Sequence, residues 1–225
     1  MFFLLLPLAA ADELPTALPS AEQIVERMRE ADAARSSQLQ GYTATRVYQL
    51  DNHRFHKQAK ITAQVTYRSP GEKSFEVTQE EGSRLICDRV LRRVIGAETD
   101  ASRDGNRDLA RITLLNYGIK VLGRETAGGR DTYVLALEPK SKSPYLVRGK
   151  AWIDADEYAL VRLEGVVAKR PSVWVGSPVV RQTYVKLGAL WLPEKNQSTT
   201  DAPVFGKTDL DIESSGYQIQ TVPLP

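Results

Sequence analysis

The chain has a single cysteine, Cys87, in 225 residues, so it can form neither an intramolecular disulfide nor a cysteine-cluster metal site. It also has little charge of one sign. Its 30 lysines and arginines against 28 aspartates and glutamates leave a net +2, without the concentrated basic face that nucleic-acid-binding domains carry. After the first eleven residues no apolar run approaches the roughly 20 residues of a membrane-spanning helix. There is no Gly-x-Ser-x-Gly elbow, no P-loop and no dinucleotide fingerprint. Histidine is scarce too: His53 and His56 form an H-x-x-H pair, which needs a third ligand to hold zinc. They stand beside the turn signal Asp51-Asn52, among Arg54 and Lys57, and read as exposed loop residues. These absences leave no constellation for catalysis, metal or cofactor, and a non-enzymatic protein is expected.

What is present begins with MFFLLLPLAAA, an apolar run ending in three alanines and followed by Asp12-Glu13. Small residues before a cleavage point and charge after it match the end of a secretory signal. The expectation is export, with cleavage near Ala11. Residues 12–19 are polar and proline-containing and read as a linker, 20–217 as one domain, and 218–225 as a tail. A hydrophobic content of 42% is enough for a sizeable core in a chain of this length.

Ser20, with Gln23 three residues on, is a capping-box signature. Ala21, Ile24, Val25, Met28 and Ala31 then recur at helical spacing, and Gly41 marks the helix end. A second amphipathic segment is expected from Arg84 to about Ala101, with Ile86, Cys87, Val90, Leu91 and Val94 on one stripe. Cys87 there reads as a small buried hydrophobe. Arg84, Arg89, Arg92, Arg93, Arg103, Arg107 and Arg111 are either a solvated face or a contact for an anionic partner.

The rest is strand after strand. Segments 43–48, 60–67, 74–79, 117–125, 131–138, 145–154, 158–166, 179–187, 190–199 and 207–217 are rich in β-branched and aromatic residues. Turn signals separate them: Asp51-Asn52, Ser69-Pro70-Gly71, Gly128-Gly129, Ala155-Asp156-Glu157, Gly188-Ala189 and Pro203. The carboxylates Asp154, Asp156 and Glu157 read as turn formers rather than a calcium site. In 158–165, Ala159, Val161 and Leu163 are expected on one face with Arg162 and Glu164 on the other. In 132–138 both faces are apolar, so both need cover. The pattern predicts a mainly β (α+β) fold, a meander curled around two amphipathic helices.

Several stretches carry a resemblance. They are Gly82-Ser83-Arg84, Gly129-Arg130-Asp131-Thr132-Tyr133-Val134-Leu135, Gly149-Lys150-Ala151-Trp152-Ile153-Asp154, Val161-Arg162-Leu163-Glu164-Gly165, Trp191-Leu192-Pro193 and Phe205-Gly206-Lys207. Over roughly residues 20–217 the chain resembles the LolA-like family of outer-membrane lipoprotein-sorting proteins. The resemblance implies a half-open antiparallel β-barrel with amphipathic helices packed on its concave face as a lid, and an apolar cavity that binds acyl chains. Tyr133, Leu135, Leu137, Ile153, Val161 and Leu163 are then expected to line the cavity, with Ile86, Val90 and Val94 closing it. The partner would be a lipid or acylated lipoprotein, with peripheral membrane contact and no nucleic acid. The alternative is a periplasmic regulator or sensor that binds an envelope protein, through the arginine face and the loop Arg170-Pro171-Ser172-Val173-Trp174.

Overall fold

The computed structural model describes residues 17–103, 106–169, 177–203 and 206–222. The expected signal at 1–11 and the loop at 170–174 lie outside the described residues. The chain enters through α1 (Ala21–Gln38), which starts at the expected capping box. The Gln23 N–H donates to Ser20 Oγ at 3.2 Å and the Ser20 N–H to Gln23 Oε1 at 2.8 Å. Helix and strand then run together: α1 ends at Gln38 and β1 (Leu39–Asn52) begins at once. Gly41 is therefore no helix stop. It sits inside β1, where a Cβ would lie 2.5 Å from the Tyr67 carbonyl oxygen, so glycine permits a close approach of backbones.

The meander continues through β2 (Lys57–Arg68) and β3 (Glu72–Gly82). The first hairpin turn falls at 53–56, two residues beyond the expected Asp51-Asn52, because both of those residues pair within the ladder. A helical segment follows at 84–102, in three parts: α2 (Arg84–Ile86), a π-helical turn (Cys87–Leu91) and α3 (Arg92–Ser102). After the short α4 (Asn106–Ala110) come β4 (Tyr117–Ala127), β5 (Arg130–Pro139), β6 (Val147–Asp154) and β7 (Leu160–Val167). The chain closes with β8 (Val179–Leu187), β9 (Leu190–Ala202) and β10 (Gly206–Thr221).

All ten strands form one antiparallel sheet in the order β3-β2-β1-β10-β9-β8-β7-β6-β5-β4. β3 and β4 are its two ends, so the barrel is open. Strands β3 and β8 stand five places apart, about 24 Å on a flat sheet. Yet Lys73 of β3 and Gln182 of β8 line the same cavity, so the sheet curls strongly toward its helix-bearing face.

That inner face is covered in two places. Ile24 and Met28 of α1 pack on Tyr117, Leu135, Leu137, Ala151, Ile153, Leu163 and Val180, from β4 to β8. Cys87, Leu91 and Ile95 pack on Tyr48, Leu50, Ala59, Ile61, Ala63 and Ile212, from β1, β2 and β10. The outer face has a smaller cluster of its own, in which Val134 and Trp152 pack with Ala127 and Val161. Strand β5 is thus covered on both sides, as its two apolar faces require.

Candidate functional site

The residues expected to line one cavity are divided among several places. Tyr133, Leu135, Leu137, Ile153 and Leu163 share the cluster under α1, where α1 side chains fill the space above them. Ile86 and Val94 pack beside the other inner cluster, under the second helical segment. Val90 is exposed (39%). The π-helical turn explains it: the Arg92 N–H donates to the Cys87 carbonyl, and the extra residue in that turn rotates Val90 away from the sheet. Cys87, Leu91 and Ile95, four residues apart, carry the packing instead. Val161 does not share a face with Leu163. The ladder between β6 and β7 is irregular between Trp152 and Ile153, and the slip places Val161 in the outer cluster with Trp152.

Between the two helical covers the inner face carries a third buried cluster, Tyr42, Ala44, Val65, Leu190 and Leu192, and two cavities there share Tyr184 in their linings. The larger, of about 340 Å³, has Arg46, Gln182, Asn196 and Ser214 in its floor and Glu98, Ala101 and Ser102 of α3 in its wall. The smaller, of about 260 Å³, is walled by Asp32, Arg35 and Ser36 of α1. Its sheet side is mostly apolar: Leu39, Ala159, Leu160, Leu190, Trp191 and Leu192. Side by side, with Tyr184 between them, they make a cleft with one polar end and one apolar end. Neither Arg46 nor Tyr184 was singled out in the sequence. The signal for Arg46 was there, because it occupies the inward position in the run Tyr42, Ala44, Arg46, Tyr48, Leu50, where every neighbour is apolar.

Arg46 is 4% exposed. It is ion-paired with Glu98, and its Nε–H donates to Ser214 Oγ at 2.9 Å. Burial opposes its charge, but Glu98 and the surrounding tyrosines together outweigh that, and the guanidinium stays protonated. Lys73 lies 3.6 Å from the same Glu98 oxygen, with Nζ 5.4 Å from the centre of the Phe75 ring. Burial and the nearby Arg46 charge push the Lys73 ammonium down to about 8. Burial pushes the Tyr184 hydroxyl up to about 12, and raises Tyr42, Tyr48 and Tyr217 as well.

The remaining candidates are structural. Asp154, 1% exposed, is paired with Arg130, and its Oδ1 accepts from the N–H groups of Asp156 (3.1 Å) and Glu157 (2.7 Å), which builds the expected turn. Burial works against its ionisation, but Arg130 and the Glu157 N–H outweigh it and hold the carboxyl below its ordinary range. His53 Nε2 is 2.7 Å from Asp209 Oδ2, across the strands, and His56 is exposed in the turn. Cys87 is buried among apolar neighbours. Among the described residues no group of three or more His, Cys, Asp or Glu side chains is placed to hold a metal. No helix there is long and apolar enough to cross a membrane.

No family model matches the chain, and no curated protein does either. Among solved structures it is similar to a LolA superfamily protein from Nitrosomonas europaea, at 14% identity and a TM-score of 0.45, over 92% of this chain and 96% of that one. It is also similar to an outer membrane lipoprotein-sorting protein domain from Vibrio parahaemolyticus, at 15% identity and a TM-score of 0.45, over 89% and 93%. A DUF1329 family protein from Desulfovibrio piger follows at 14% identity and a TM-score of 0.42, over 88% and 91%. Likenesses at this level carry no functional argument, which has to come from the cleft itself.

Proposed function

We propose that this chain is an exported, non-catalytic carrier or binder of acylated ligands, lipoprotein acyl chains or other lipids, which it holds in the cleft between its two helical covers. One observation carries the reading: the covers pack on separate parts of the inner face and leave between them two cavities, of about 340 and 260 Å³, that share Tyr184 in their linings. Ligand pockets typically run from roughly 300 to 1,000 Å³. Each methylene moved from water onto the leucines of the smaller cavity contributes about 0.8 kcal/mol, so a chain of ordinary length binds without any reacting group. The test is mass spectrometry of the purified protein after organic extraction, followed by titration with a fluorescent fatty acid. A co-purified acylated species is expected, with at least tenfold weaker uptake in Ser36→Trp and Ala101→Trp, which fill the two cavities from their helical walls. An empty protein that takes up no fatty acid overturns the reading.

One observation favours the alternative of a partner-binding regulator. On the outer side of segment 84–102, Leu85 (64% exposed) and Val90 lie among exposed Arg84, Arg89 and Arg93, none of which is in an ion pair among the described residues. Such a basic and apolar strip suits an acidic protein surface. A salt-sensitive complex lost on Arg89→Glu with lipid uptake intact would establish it.

A further inference from the structure

At the polar end of the cleft two cations crowd one anion. Arg46 and Lys73 both face one carboxylate, Glu98, and both pair with the same oxygen, Oε2. Lys73 stands 3.6 Å from it, with a side chain only 13% exposed. Of the other charged groups around this cavity, Lys195 is paired with Glu213 at 2.6 Å, and the exposed Glu194 accepts from the neutral Thr183 Oγ1 at 3.0 Å and keeps its negative charge, so the positive excess is local to Arg46 and Lys73. The fully buried Tyr48, beside Arg46 and Glu98, has a hydroxyl with no partner in hydrogen-bonding geometry. A buried cation without a full complement of acceptors is unfavourable, and an anion that enters the site relieves it. Neutral polar groups stand in the same wall, where Gln182, Asn196, Ser102 and Ser214 border the cavity.

The geometry points to an anionic amphiphile as the ligand. Its acidic head group, a carboxylate or a phosphate, sits against Lys73 in the larger cavity, and its chain passes Tyr184 toward Leu160, Leu190 and Leu192. The inference rests on the lipid-binding reading above and adds to it the chemistry of the head. It separates an ionised fatty acid or acidic lipid from a neutral ester of the same length, which gains the apolar contacts and leaves Lys73 sharing Glu98 with Arg46. A charge-assisted contact of this kind is expected to favour the acid by about 10-fold to 100-fold.

The experiment is displacement of a neutral fluorescent acyl probe from the full chain at pH 7 by a C16 fatty acid, its methyl ester and a C16 alkyl phosphate. The acid is expected to displace the probe at least tenfold more effectively than the ester. Lys73→Met is expected to bring acid and ester together, and Lys73→Arg to keep them apart. An acid that outcompetes the phosphate assigns a carboxylate head, and the reverse order assigns a phosphate. Acid and ester of equal strength in the wild-type chain overturn the head-group assignment and leave lipid binding standing. Failure of the neutral probe to bind at all overturns both.

Discussion

The two helical covers of one sheet are built differently. The first, α1, is a regular helix of 18 residues with a closed capping box, and it buries Ile24 and Met28 in an apolar cluster that reaches from β4 to β8. The second, at 84–102, begins at Ser83 without a side-chain cap and passes through a π-helical turn. It leaves Leu85 and Val90 exposed and meets the sheet through both an apolar cluster and the buried Arg46–Glu98 pair. Packing of apolar shapes tolerates little displacement, whereas an ion pair at a cavity edge can exchange partners with solvent or a ligand. The contrast predicts that the half under α1 behaves as the scaffold and the half under 84–102 as the more adaptable wall of the cleft.

The strongest test of that contrast is a matched pair of truncations. Leu135 and Leu91 are both fully buried, one under each cover. Leu135→Ala is expected to lower global stability by about 2–5 kcal/mol in urea denaturation, because β5 lies in the middle of its cluster. Leu91→Ala removes the same atoms but is expected to loosen 84–102 locally, so hydrogen exchange there accelerates more than in β5 and β6. If both variants speed exchange uniformly, the two halves are one cooperative unit and the contrast fails.

Lys73 provides a second and smaller test, through pH. Its ordinary value of 10.5 applies to the unfolded chain, while the folded group titrates near 8. Between those values the unfolded chain binds a proton that the folded chain has released, so the Lys73 contribution makes stability rise with pH there. The destabilisation from burying the cation is complete below pH 8 and fades above it. The groups around it are Arg46 on β1, Glu98 on α3, Glu194 and Lys195 on β9, and Tyr184 on β8. Relative to Lys73→Met, the wild-type chain is expected to gain up to about 1.4 kcal/mol per pH unit from pH 8 to 9.5. Cys87 and the tyrosines are present in both chains and cancel in the difference. Parallel stability curves would show that Lys73 is solvated and that the wall is not charged as described.

Much of this arrangement was legible in the sequence, because it follows from local rules. Runs of β-branched and aromatic residues between turn signals placed each of the ten strands to within a few residues, and Gly128-Gly129, with both residues at positive φ, marked its hairpin. The capping box placed the start of α1 at Ser20. What escaped were departures from regular period. The irregularity at Trp152–Ile153 separates Val161 from Leu163, and the π-helical turn removes Val90 from the stripe it would occupy in an α-helix. The polar end of the cleft escaped for another reason. Arg46, Lys73 and Glu98 come from three elements, and Arg46 and Glu98 are 52 positions apart, so their meeting depends on the curl of the sheet and on no local pattern.

The smallest test compares the two helix starts. Ser20 and Ser83 both precede a helix, but only Ser20 has its side chain bonded to the first turn. Ser20→Ala is expected to cost about 1 kcal/mol, since it leaves the Gln23 N–H without its acceptor. Ser83→Ala should change stability by less than about 0.5 kcal/mol, because no cap bond is lost. Both are read from urea midpoints at constant m-value. A substantial loss at Ser83 would mean that segment 84–102 is anchored at its start as firmly as α1. The adaptable wall would then have to lie in the π-helical turn alone, with Arg92 and its bond to the Cys87 carbonyl as the place to look.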